Sequence, residues 1–78
     1  MAGIVAYVLI RAQVGGEYDV AVYARNFQPE VTEALVTYGS YDVVVRIETD
    51  DMARLDEIVT KLRKHPLVKE TVTLVASP

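Results

Sequence analysis

The chain contains no cysteine and no tryptophan, and only one histidine and one phenylalanine in 78 residues. Without cysteine there is no disulfide framework and no thiolate metal site. With a single histidine, any metal site would rest on carboxylates alone, so no metal ligand set is expected. Basic residues are also scarce: 8 Lys and Arg stand against 11 Asp and Glu, for a net charge of −3. That balance argues against a protein that grips a phosphate backbone, which needs a clustered basic face. No apolar run approaches the ~20 residues of a membrane-spanning helix. The longest, Ile4 to Ile10, has the length of a strand. The N-terminus lacks a basic region and a small-residue cleavage site, so no secretory signal is read and a cytoplasmic location is expected.

Hydrophobic residues, by contrast, are abundant at 51%, with a mean hydropathy of +0.20. A chain of this length buries only roughly 60% of the surface its unfolded form exposes. One small core has little room for so much apolar surface, and self-association is the usual remedy. Residues 1–78 are therefore expected to form one domain that works as an oligomer.

Periodicity divides the chain into six elements. Gly3 to Gln13 reads as a strand apolar on both faces, with Ile4, Ala6, Val8 and Ile10 on one and Val5, Tyr7 and Leu9 on the other. Gly15-Gly16 breaks it; no phosphate-binding fingerprint follows, so the pair is read as a strand-to-helix loop. Glu17 to Phe27 is expected to be helical, with Val20, Tyr23, Ala24 and Phe27 as its buried stripe. Pro29 ends that helix. Val31 to Thr37 is the second strand, with Val31, Glu33, Leu35 and Thr37 on one face. Asp42 to Thr49 is the third, with Val43, Val45 and Ile47 as its inner row and Arg46 and Glu48 opposite, free to pair with a neighbouring strand or chain. Asp50-Asp51 supplies the cap of a second helix, Met52 to Lys64, whose stripe is Met52, Leu55, Ile58, Val59 and Leu62. Glu57 and Lys61 have the spacing of a helical ion pair. Lys61, Arg63, Lys64 and His65 gather at its C-terminal end, where cations suit the helix dipole. Pro66 stops the helix, and Val68 to Ala76 is the fourth strand.

The order β-α-β-β-α-β predicts an α+β fold, the ferredoxin-like plait: a four-stranded antiparallel sheet with two helices on one face. The open face is expected to carry one row of the first strand together with the Val44 and Val75 rows. That is too much exposed apolar surface for water, so dimerisation through the sheets or their edges is expected.

Catalytic chemistry has little to stand on. His65, between Lys64 and Pro66, has no orienting partner or nucleophile in its neighbourhood of the sequence. Tyr7 and Tyr41 are too few for an RNA-stacking platform. No catalytic residue and no cofactor is expected. The unusual stretch is Tyr38-Gly39-Ser40-Tyr41-Asp42, between the second and third strands. Gly39-Ser40 reads as the tip of a β-hairpin, and a plain turn has no need of two tyrosines and a carboxylate. A free amino acid needs an acceptor for its ammonium and donors for its carboxylate. Asp42 is the candidate acceptor, the backbone N–H groups of Gly39 and Ser40 are candidate donors, and Thr71 and Thr73 offer hydroxyls. The alternative on residue chemistry is that Asp42 satisfies turn amides and the tyrosines pack at a subunit contact.

Nearly the whole chain resembles the effector (RAM) domain of the Lrp/AsnC, or feast/famine, transcription regulators. The residues that carry the likeness are the apolar strand Ile4 to Arg11, the element Gly39-Ser40-Tyr41-Asp42 followed by Val43-Val44-Val45-Arg46, the helix Met52 to Lys64, the turn Pro66-Leu67-Val68, and the strand Glu70-Thr71-Val72-Thr73-Leu74-Val75. The resemblance implies the same plait, dimers formed through the sheets, and assembly into an octamer or decamer. It also implies a free amino acid bound where dimers meet, with Gly39, Ser40, Tyr41 and Asp42 as contacts and Thr71 and Thr73 as weaker ones. Regulators of this family carry an N-terminal helix-turn-helix domain, whereas only Met1-Ala2 precede Gly3 here. The likeness is therefore to the stand-alone form, which is expected not to bind DNA directly. Its expected partners are itself, a free amino acid and full-length Lrp/AsnC regulators. Two competing readings share the plait: a cofactor-free dimeric α+β-barrel enzyme and a pure assembly module without ligand.

Overall fold

The computed structural model describes residues 3–77. Met1, Ala2 and Pro78, the two ends in the sequence reading, lie outside the described residues. The elements run β1 (Ile4–Ala12), α1 (Glu17–Ala24), β2 (Val31–Val36), β3 (Val43–Thr49), α2 (Met52–Arg63) and β4 (Val68–Val75). The four strands form one antiparallel sheet in the order β2-β3-β1-β4. This is the ferredoxin-like βαββαβ plait.

β1 sits inside the sheet because it is apolar on both faces. Its Ala6, Val8 and Ile10 are fully buried, as are Val43, Val45 and Ile47 of β3. The helices close over this row with Val20, Ala21 and Ala24 from α1 and Leu55, Ile58 and Leu62 from α2. α2 begins where Asp51 accepts a hydrogen bond from the Ala53 N–H at 2.9 Å, the N-cap predicted from Asp50-Asp51. Asp50 instead accepts from the Gly3 N–H at 2.7 Å and ties the start of β1 to the sheet. Glu57 and Lys61 pair at 3.3 Å, as their spacing predicted.

α1 is shorter than predicted and stops at Ala24. Tyr23 and Phe27 still pack against the core, ring edge to ring face with centroids 5.3 Å apart. Met52 leaves the predicted α2 stripe and is exposed, because it occupies the first, solvent-facing turn. His65 is no free surface residue. Its ring lies 4.8 Å from that of Tyr23, and Nδ1 accepts the Leu67 N–H at 3.1 Å.

Two register shifts change the predicted faces. Between Val31 and Glu33, β2 carries one extra residue against β3. Val31 therefore lies on the buried side with Ala34, and the predicted row of Val31 with Glu33 and Leu35 is split. The second shift lies between Arg11 and Ala12, opposite β4. The open face also differs from expectation. Tyr7 pairs with Leu74, and Leu9 with Val72 and Val44. Val75 pairs with the buried Ala6 and so lies on the helix side. The open face thus carries Val72 and Leu74, not Val75. Arg46 and Glu48 pair with each other along β3, and Arg46 also donates to Tyr7 Oη and Thr32 Oγ1.

Two measurements test this framework. Ile58→Ala opens a cavity at the centre of the core and should lower the unfolding free energy by about 2–5 kcal/mol in urea titrations; a loss near zero would contradict the packing. At the start of β2, Arg54 hydrogen-bonds Glu30 at 3.2 Å and holds its carboxyl below the usual carboxylate range. The folded state keeps Glu30 ionised to lower pH than the unfolded chain does. Its contribution is therefore present above the ordinary carboxylate range and is lost as pH falls through the depressed value. Glu30→Gln should flatten the acid limb of the melting-temperature profile; an unchanged limb would count against this pair.

Candidate functional site

Three connections gather at the end of the sheet where β1 finishes. They are the loop from Gln13 to Gly16, the hairpin loop from Thr37 to Asp42, and the turn from Lys64 to Leu67. Backbone bonds lock them together. The Asp42 N–H donates to the Ile10 carbonyl at 2.8 Å, and the Gln13 N–H to the Leu67 carbonyl at 2.8 Å. Gly16 allows the Leu67 side chain to approach closely, since a Cβ there would lie 2.9 Å from Leu67 Cδ1.

The hairpin tip follows the sequence reading in form. The Thr37 N–H donates to the Asp42 carbonyl at 2.9 Å, and the Thr37 hydroxyl donates to the Tyr41 carbonyl at 2.8 Å. Gly39 has a φ of +129°, a conformation that an L side chain rarely adopts. Nothing lies within 4 Å of the position a Gly39 Cβ would take, so the backbone there is open to approach. Ser40 is exposed beside it. Tyr41 is half-buried, with the Arg11 guanidinium 5.7 Å from its ring centroid. Tyr38 projects fully into solvent.

Asp42 is the residue that joins the hairpin to β1. Its Oδ2 accepts the Ala12 N–H at 2.8 Å. One carboxylate oxygen is engaged in this way, and the residue remains half-buried at the edge of a cleft of about 390 Å³. Val14, Glu17, Tyr18, Thr37 and Tyr38 line the same cleft. Glu17 Oε2 accepts the Gly15 N–H at 3.1 Å, which sets its carboxylate at the start of α1. The cleft joins an apolar wall to acidic acceptors, the combination that a cationic ammonium with an organic side chain requires.

The sequence-predicted residues do not all converge within one chain. Gly39, Ser40, Tyr41 and Asp42 share the hairpin. Thr71 and Thr73 lie on β4, across β1 from it, paired with Ile10 and Val8. Thr71 lines a separate cleft of about 340 Å³ with Arg63, Val68, Lys69 and Glu70. Glu17, Tyr18 and Val14 were missed as lining residues. A signal for Tyr18 was present in α1, where Tyr18 and Val22 lie four residues apart outside the buried stripe and are both exposed, as is Val14 in the loop before the helix. Among the described residues, no three His, Cys, Asp or Glu side chains are grouped to hold a metal ion, and no helix is long and apolar enough to cross a membrane.

Comparison with known proteins places this geometry. Residues 5–77 match the family described as the Lrp/AsnC ligand binding domain. The HTH-type transcriptional regulator FL11 of Pyrococcus horikoshii is 30% identical over 70 residues, which are 90% of this chain and 46% of that protein. The chain thus spans about half the length of that curated relative. The solved structure of hypothetical protein PHS023 from Pyrococcus horikoshii is 38% identical with a TM-score of 0.85, covering 96% of this chain and 90% of that one. The transcriptional regulator NMB0573 of Neisseria meningitidis, solved as its L-Met complex, has a TM-score of 0.80 at 16% identity and covers 99% of this chain and 51% of that one, so the likeness is one of fold. With the βαββαβ plait, the glycine-tyrosine-aspartate hairpin and a match along nearly all its length, the chain belongs to the Lrp/AsnC ligand-binding-domain family.

Proposed function

We propose that the chain is a non-enzymatic domain that binds a free amino acid where its subunits meet and that assembles through its open sheet face. The observation that carries this reading is the placement of Asp42. Its carboxylate is anchored by one oxygen on the Ala12 N–H and stands at a cleft beside the open backbone of Gly39. An ammonium fits the remaining oxygen, and the N–H groups of Gly39 and Ser40 suit a carboxylate. Tyr41 frames the turn, and Thr71 and Thr73 supply hydroxyls from β4. The family match and the naming of relatives as transcriptional regulators support a regulatory rather than a catalytic role. The L-Met complex of NMB0573 supports an amino acid as the ligand class.

Self-association follows from the open face. Tyr7, Leu35 and Leu74 are exposed there, next to Leu9, Val44 and Val72. Pairing two such faces removes this surface from water. An octamer or decamer then arises when sheet-linked dimers meet at the hairpin end. A ligand bound at that second contact shifts the assembly by its differential affinity for the joined and separate states. Co-assembly with full-length Lrp/AsnC regulators would pass the same signal to a DNA-binding chain.

The test is native mass spectrometry and thermal shift with each of the twenty amino acids. At a hundredfold excess over its dissociation constant, a true ligand should stabilise the fold by about 2.7 kcal/mol. If none alters either the melting temperature or the subunit count, the sensing role is wrong and an assembly module remains. Asp42→Asn keeps an acceptor for the Ala12 N–H and removes the charge. It should retain the fold and lose the amino-acid response. Asp42→Ala should in addition lower stability by about 1–3 kcal/mol, by orphaning that N–H.

A further inference from the structure

The open face of the sheet is apolar along its middle and charged in two places. Leu35, Val44, Leu9 and Val72 stand side by side across all four strands, with Tyr7 and Leu74 in the next row. Arg11 and Glu70 pair at 3.1 Å where this face ends, and both side chains are more than half exposed. Arg46 and Glu48 lie on β3, an inner strand, and keep only 30% and 35% exposure. An ion pair at the border of a face stays in water and discriminates little. One that comes to lie beneath a second sheet must have its remaining hydrogen bonds completed there.

Arg46 is held from three sides. Its Nε donates to Tyr7 Oη at 3.3 Å, and its Nη1 donates to Thr32 Oγ1 at 3.1 Å and pairs with Glu48. Glu48 takes part through Oε2. Among the described residues, Arg46 Nη2 and Glu48 Oε1 have no partner. The network thus fixes the guanidinium and leaves over one donor group and one acceptor oxygen, which are complementary to each other. The two residues are two apart on one strand, so their backbones are separated by roughly 7 Å. That is within reach of an arginine and a glutamate approaching from opposite sheets.

We propose that the Arg46–Glu48 pair is the self-recognition element of the sheet contact: a second copy seats with its twofold axis over this pair, so that Arg46 of each copy reaches the free oxygen of Glu48 on the other. This rests on the reading that the open faces pair, and it names what chooses the partner. In a twofold contact residue i meets j and j meets i, so four charges alternate in sign around the axis. The apolar band attracts any greasy sheet without discrimination. A chain of the same plait with apolar or like-charged residues at these two positions would desolvate Arg46 and Glu48 and leave their outer groups unpaired, which sets that partner at a disadvantage.

Exchanging the two charges tests this. Arg46→Glu/Glu48→Arg keeps an ion pair inside the chain, and the Tyr7 and Thr32 hydroxyls can donate to a carboxylate where they now accept from a guanidinium. The exchanged chain should fold and self-associate as the wild type does. Refolded together with wild type, however, it should avoid it. Every mixed contact sets cation on cation and carboxylate on carboxylate, so mixed dimers should fall to about a tenth of their statistical share or less. Native mass spectrometry with one chain isotope-labelled reads this, and in any larger assembly the labelled chains should be counted in twos. The single variants behave oppositely. Arg46→Glu and Glu48→Arg should each weaken self-association by about ten-fold or more, and when combined should prefer each other. Thermal melts confirm that each variant keeps the fold.

Free mixing of the exchanged chain with wild type would overturn the self-recognition and leave the sheet contact standing. Leu35→Asp/Leu74→Asp separates the two readings. Both side chains are about half exposed in the single chain, at 48% and 50%, so their replacement spares the fold while placing charge in the contact. It should lower the subunit count. A wild type that is monomeric, or a Leu35/Leu74 variant with an unchanged subunit count, would remove the sheet contact and the recognition with it.

Discussion

β1 is hydrophobic on both faces and is flanked by a strand on either side, so a single chain can satisfy it only halfway. The helices cover the row of Ala6, Val8 and Ile10 completely. Among the described residues no element forms a second layer over the row of Val5, Tyr7 and Leu9. The rest of the architecture follows from that asymmetry. α1 and α2 need apolar stripes of modest width because they share one small core. β3 alternates strictly between a buried valine–isoleucine row and a partly exposed one that ends in Arg46 and Glu48. The opposite face of the sheet stays open, with Tyr7, Leu35 and Leu74 exposed.

The working end is built by the same strand. β1 ends at Ala12, and the N–H of that residue points at a carboxylate from the hairpin instead of a backbone carbonyl. Asp42 thereby braces the fold and stands at the edge of the candidate cleft. It closes the ladder between β1 and β3, and the oxygen left over is held still at the edge of a cleft. The two hypotheses drawn from the sequence, a turn-satisfying aspartate and a ligand-binding one, are compatible in this geometry because a carboxylate has two oxygens. The backbone bond from Gln13 to Leu67 extends the same bracing to the α2–β4 turn.

Charge is distributed in keeping with these contacts. Ion pairs on the helix side, Arg54 with Glu30 and Glu57, and Lys61 with Glu57, tie α2 to itself and to the start of β2. Such exposed pairs each contribute little to stability, and they leave the cations at the far end of α2 without intramolecular partners among the described residues.

The order of elements, the buried rows of β1 and β3, the Asp51 cap and the Glu57–Lys61 pair were all legible in the sequence, because each depends on residues close together in the chain. Periodicity, capping and helical spacing are local physics. The faces of β2 and β4 were not legible. A single extra residue between Val31 and Glu33, and another opposite Arg11 and Ala12, inverts which side chains share a face, and only pairing with a neighbouring strand reveals it. The site divides along the same line. The glycine, tyrosine and aspartate of the hairpin stand together in one loop because they are neighbours in the chain, so their candidacy could be read from type and order. The lining by Val14, Glu17 and Tyr18, the bond from Ala12 to Asp42, and the placing of Thr71 among Arg63 and Lys69 came from the tertiary structure alone, because they join segments that meet only when β1 is threaded between β3 and β4.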